Sequence, residues 1–204
     1  MILNKSLLFF FLLIFTTNVI SQKTSPFIGY SNSFVSGRDV NIEDLAFFNS
    51  GVSAGVLLET GKKNVRFLSG FYFQQKGFQI KFNPEYKHKT NLNYLELNAG
   101  VRFQPFKLLS FNAGGYFSGA INGFIYYDIG PEDPICLSWT NPSIVGLKAF
   151  DFGAKLGVEF HFISNFSLQL NYSFGLYPIG IDSKLYTHCF QTGICYSFNR
   201  KNKK

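Results

Sequence analysis

The feature that most limits what this chain can become is a period of two, held for longer than globular strands hold it. Phe150, Phe152, Ala154, Leu156, Val158, Phe160 and Phe162 alternate with Asp151, Gly153, Lys155, Gly157, Glu159 and His161. Phe166, Leu168, Leu170, Tyr172, Phe174 and Leu176 alternate in the same way with Ser167, Gln169, Asn171, Ser173 and Gly175. In an extended strand this spacing puts one set of side chains on each face. Globular strands typically run about 5–6 residues, whereas strands that cross a bilayer need about 9–11. The runs therefore point to a sheet with one apolar face toward lipid and one polar face turned inward.

Composition agrees. Charged residues make up 15% and aromatics 19% of 204 residues, with 26 Phe, against about 25% charge in ordinary soluble domains. A bundle of membrane helices needs several apolar stretches of about 18 residues. Only the N-terminal segment approaches that length. It reads as a secretory signal over residues 1–21, with Lys5 in the positive region, Leu7 to Phe15 as the apolar region, and Val19-Ile20-Ser21 at the cleavage point. Its removal leaves 183 residues, enough for one domain over 22–198 and a basic tail over 199–204. Five of the cations behind the net charge of +7 are Lys5, Arg200, Lys201, Lys203 and Lys204. The folded body is thus nearly neutral, which gives no basic face for nucleic acid.

Further alternating segments occur at Val52 to Leu58, Val65 to Phe82, Asn93 to Gln104, Ser110 to Tyr127 and Phe190 to Phe198, with a weaker one at Pro26 to Asn32. The expectation is an all-β fold: an eight-stranded antiparallel transmembrane β-barrel. Between Val65 and Phe82 the apolar parity changes, from Phe67, Phe71 and Phe73 to Phe78, Ile80 and Phe82. Beside Gly77 this predicts a β-bulge. Short links at Thr60 to Asn64, Pro105 to Leu108 and Ile163 to Asn165 alternate with long ones at about Ser33 to Phe48, Asn83 to Asn91, Ile129 to Ala149 and Pro178 to His188. Short periplasmic turns and long outer loops are the pattern of outer-membrane barrels, and an even strand number makes both termini periplasmic.

The Phe73-Gln74-Gln75-Lys76-Gly77 and Leu92-Asn93-Tyr94-Leu95-Glu96 stretches, set between the signal and a closing Phe-rich hairpin, resemble the PorT-type outer-membrane β-barrel family of Bacteroidota. The resemblance covers nearly all of the mature chain. It implies a structural or partner-binding role in the cell envelope, and some members are tied to assembly of a protein secretion system. The final strand, Gln191-x-Gly193-x-x-Tyr196-x-Phe198, also resembles the signal read by the barrel-assembly machinery, although Asn199 to Lys204 follow it.

Charges of both signs fall on the inward parity: Glu59, Arg66, Glu96, Arg102, Asp151, Lys155 and Glu159. The interior of an eight-stranded barrel is just wide enough for side chains to fill, and buried charges are costly unless paired. A plug of salt bridges, with Tyr72, Tyr94 and Tyr116, and no open pore is the expectation. Outer-membrane lipid and envelope or secretion proteins are the expected partners. No cofactor is called for, and the three cysteines contain no CxxC pair that would suggest zinc.

Two rivals belong to other classes. One is a rim-active enzyme on lipid or peptide using His88 or His188 with Asp182 and Ser183, though no spacing singles out a catalytic set. The other is a secreted lipocalin-like carrier, whose apolar residues would face inward. Export permits disulfides. Cys136 in the longest outer loop and Cys189 opening the last strand are the expected pair, with Cys195 about 20 Å away along that strand at about 3.3 Å per residue.

Overall fold

A computed structural model describes residues 22–37, 46–61, 64–83, 86–127, 135–137, 147–163, 165–180 and 184–198. Eight long strands form the wall: β1 (Gln22–Gly37), β3 (Asn49–Thr60), β4 (Val65–Asn83), β5 (Tyr86–Phe106), β6 (Leu109–Tyr127), β8 (Phe150–His161), β9 (Phe166–Gly175) and β10 (Leu185–Tyr196). Two short strands, β2 (Ala46–Phe47) and β7 (Ile135–Leu137), extend it beside β4 and β6. Each long strand pairs antiparallel with its neighbour in the chain, and β1 closes on β10 with Phe27 opposite Cys195 and Ser36 opposite Tyr186. Closure leaves the wall without an edge, as a sheet in lipid requires.

Gly61 and Asn64, residues 107–108, and Ile163 and Asn165 lie at one end of the barrel, where the described residues also begin and end and Phe198 bridges Thr24. We call this the turn end and the opposite one the loop end. Gly61 in the first turn has φ +137°, a conformation that disfavours any residue with a Cβ.

Within the lower barrel the alternation is strict. On β8, Phe150, Phe152, Leu156 and Phe160 point outward while Asp151, Lys155 and Glu159 are buried inside, and β9 repeats the arrangement with Ser167, Gln169, Asn171 and Ser173 inward. The outward apolar side chains rule out the carrier-type barrel, in which they would fill the interior.

Three expectations need correction. The β4–β5 pairing runs without interruption through Gly77, opposite Asn91, so there is no bulge there. The parity change has another cause: Phe78 turns inward and is buried, joining Val35, Leu92, Tyr94, Ile125, Leu147, Ile179 and Leu185 in an apolar cluster inside the loop end. The bulge lies on β6 instead, where Asn93 pairs Asn122 and Tyr94 pairs Ala120, leaving Ile121 as the extra residue. Beyond it the parity of β6 flips, which carries Ile125 inward although it shares odd numbering with outward Phe111 and Phe117. Finally, Asn83 to Asn91 is no long loop, because β4 and β5 stay paired out to Asn83 opposite Tyr86.

Candidate functional site

The lumen holds the polar chemistry of the described residues, in two clusters. At mid-height the Glu96 carboxylate accepts from Lys76 and Lys155, each at 3.0 Å. Lys76 also reaches Asp151 at 3.1 Å. Asp151 is held by the Tyr116 hydroxyl at 3.1 Å and by Thr187 at 2.8 Å. Ser118 donates to Glu96 at 3.1 Å, and the Gln74 and Asn98 amides, turned nitrogen toward the carboxylate, donate at 2.9 and 3.0 Å. The ammonium of Lys76 lies 4.3 Å from the centre of the Tyr116 ring, and that of Lys155 lies 4.7 Å from Tyr72. Every charge here has a partner of opposite sign and further hydrogen bonds, the condition under which buried ions are tolerated.

Nearer the turn end Arg102 bridges Glu59 on β3 and Glu159 on β8. Arg66 approaches Glu59 at 3.1 Å and Lys23 does so at 3.6 Å. Ser167 donates to Glu159 at 2.5 Å, and His161 lies beside the same carboxylate while its Nε2 meets Ser110 at 3.1 Å. On the far wall Phe27, Leu57, Leu68, Tyr72 and Cys195 form a small apolar patch.

All seven inward charges expected from the sequence, Glu59, Arg66, Glu96, Arg102, Asp151, Lys155 and Glu159, line this interior, with Arg66 half-buried near the mouth. Sequence reasoning missed Lys76, the hinge of the mid-height cluster. Its parity with Tyr72 and Gln74 was the available signal, obscured by the bulge expected at the next residue.

The bridge expected between Cys136 and Cys189 is not formed: Cys189 is a free thiol, buried in the lumen. Cys189 does not open the strand, which begins at Leu185; it lies beside the Gln74 amide of the mid-height cluster and points inward with Gln191, Gly193 and Cys195. The backbone of Cys136 pairs with Phe124 on β6, away from β10, and its side chain lies outside the described residues. Of the residues considered for a rim enzyme, the side chain of His88 and all of Asp182 and Ser183 lie outside the described residues. His188 faces outward among aromatics, bonded to Ser36 at 2.8 Å and Tyr172 at 2.7 Å and stacked on Phe34 at 4.8 Å.

In the closing strand, Gln191 and Gly193 face the lumen while Tyr196 and Phe198 face outward in edge contact at 4.8 Å. Gly193 also has a packing reason: a Cβ there would lie 2.5 Å from both the Phe27 ring and the Ile28 carbonyl oxygen.

A family profile described as "Outer membrane protein beta-barrel domain" matches residues 21–179. The chain belongs to that family. This outer-membrane barrel is similar in fold to Ail, the attachment invasion locus protein of Yersinia pestis, solved in complex with the heparin analogue sucrose octasulfate. The TM-score is 0.51 at 15% identity, over 88% of this chain and 100% of Ail. It is also similar to Neisserial surface protein A, with a TM-score of 0.55 at 11% identity, over 86% of this chain and 97% of that one. At such identities the likeness concerns fold alone. A search of curated proteins finds no match.

Proposed function

We propose that this outer-membrane barrel is a non-channel protein that acts through its surfaces, in a structural or partner-binding role in the cell envelope. The observation that carries the reading is the filled lumen. Glu96, Asp151, Arg102 and Glu159 are at most 1% exposed, and an apolar cluster closes the loop end above them. A pore would need a continuous wet path, and paired charges in a barrel of this strand number leave little room for one. Catalysis would need a nucleophile within reach of both a base and a substrate; Ser110 lies 3.1 Å from His161, which sits beside Glu159, but Ser110 is fully buried in the wall of the lumen.

The finer parts of the reading follow from the sequence. The turn end with both termini faces the periplasm, consistent with its short links. Gln191, Gly193, Tyr196 and Phe198 serve the barrel-assembly machinery, for which the outward pair of aromatics on the last strand is suited. The PorT-type resemblance extends the role to envelope proteins of a secretion system.

Planar-bilayer recording of the refolded protein tests the core of this proposal. Steady conductance from the wild type would overturn it, and silence is expected. In the native host, deletion should lower the amount of exported protein without increasing uptake of small polar dyes. Unchanged export would remove the secretion-related part.

A further inference from the structure

The turn-end mouth opens into a cavity of about 360 Å³ whose wall carries Lys23, Arg66, Lys107 and Gln104. We propose that this mouth is a binding site for a phosphate-bearing anion.

The argument is one of charge and shape. Among the described residues, Glu59 and Glu159 are the only carboxylates at this end. Arg102 engages both from inside, and Glu59 is further shared by Lys23 at 3.6 Å and Arg66 at 3.1 Å. With Lys107, four cations stand around these two carboxylates among the described residues, an excess of two positive charges there. The carboxylates are 1–2% exposed and lie at the back, whereas Lys23, Arg66 and Lys107 border the cavity. The excess is therefore directed into the opening. A concave site lined by one sign of charge between low-dielectric walls concentrates counter-ions. Phosphate esters suit it: they carry one to about two negative charges, and their oxygens accept charge-assisted bonds from both guanidinium and ammonium groups. Gln104 is held in place by its own donation to the Lys107 carbonyl at 3.3 Å.

One wall of the cavity belongs to the lipid-facing rim, where Leu108, Phe162 and Ile163 are 68, 56 and 59% exposed. A phospholipid could place its headgroup in the mouth and its chains along these residues, while a soluble phosphate ester could enter from the aqueous side. The site is the same for both, whichever side of the membrane this mouth faces.

Two titrations test the proposal and separate the sources. In one, the barrel in non-ionic detergent is titrated with glycerol 3-phosphate by calorimetry. In the other, nanodiscs containing phosphatidylglycerol are compared with phosphatidylcholine nanodiscs by native mass spectrometry of the retained lipid. The variant is Lys23→Gln/Lys107→Gln, with Lys184→Gln, exposed at the loop end, as control; heat-modifiable gel mobility reports folding. Expected is saturable binding in at least one titration, weakened tenfold or more in the double variant and unchanged in the control. Binding in the lipid experiment alone assigns the site to a headgroup; binding of glycerol 3-phosphate assigns it to a soluble ester. If the double variant fails to fold, Lys107→Gln alone, at an exposed turn residue, should weaken binding at least threefold. Absence of saturable binding in both experiments, or binding undiminished in the folded variants, would overturn the proposal.

Discussion

The lower barrel and its loop-end extension use one continuous wall with opposite polarity. Below the level of Gln75, Asn93 and Asn122, apolar side chains such as Phe71, Leu97, Phe117 and Leu156 face outward, and the interior is charged except for the patch around Phe27 and Tyr72. Tyr94, one residue below that level, and Leu92, Phe78 and Ile125 above it turn inward, with Lys76 between them reaching back down to Glu96 and Asp151. At the boundary the outer face carries amides: Gln75 donates to Asn93 at 3.2 Å, and Asn93 donates to Asn122 at 2.7 Å. The lower part obeys the rule of a wall in lipid, and the upper part encloses an apolar core as a β-domain in water does, although Phe48 and Tyr126 still point outward there. Strand identity is unchanged across the boundary; the surroundings change.

If the two regions are stabilised by different physics, their responses to substitution should differ in kind. The largest effect is expected for Glu96→Gln, which leaves buried Lys76 with Asp151 alone and buried Lys155 with no carboxylate partner among the described residues. A loss of about 3–5 kcal/mol is expected in urea-driven unfolding from lipid vesicles. A loss under 1 kcal/mol would mean that the charges are not in place. In the upper region, Leu92→Ala removes a side chain 1% exposed in the apolar cluster and should cost about 3 kcal/mol. That cost should vanish if the cluster is disordered in the membrane-bound protein, which refolding titrations would reveal.

Smaller effects sharpen the contrast between two tyrosines. Tyr116 donates to Asp151, so Tyr116→Phe should cost about 1.5–3 kcal/mol by the same assay, the value of a hydrogen bond to a charged group. The hydroxyl of Tyr94 is buried and makes no hydrogen bond among the described residues. Tyr94→Phe should therefore change stability by less than about 0.5 kcal/mol or improve it slightly. Equal losses at both positions would erase the boundary drawn here.

The difference also explains which parts of the molecule were legible beforehand. In β8 and β9 every inward and outward position follows from period two alone, because a regular strand in a uniform environment has no other freedom. In β4 the same reasoning met Phe78 out of phase and assigned a bulge, although the backbone is regular and the environment inverts. In β6 it missed the bulge at Ile121, because Ile121 and Ile125 share a numbering parity and look continuous in sequence. Cys189 shows the same limit: distance along a strand gives height, but a disulfide depends on the direction in which a side chain points.

The sequence by itself determined the strand number, the outward apolar face in the lipid band and seven of the charges that enter the lumen, though not Lys76, since these follow from local alternation and the cost of exposing charge to lipid. Only the tertiary structure decided which charge meets which. Glu96 draws Lys76 from β4 and Lys155 from β8, and Arg102 joins Glu59 on β3 to Glu159 on β8. Such contacts depend on strand register and tilt around a closed wall, and these are fixed by closure of the whole sheet. The inversion of polarity at the loop end was likewise decided there, because the height at which the wall leaves lipid is a property of the assembled barrel.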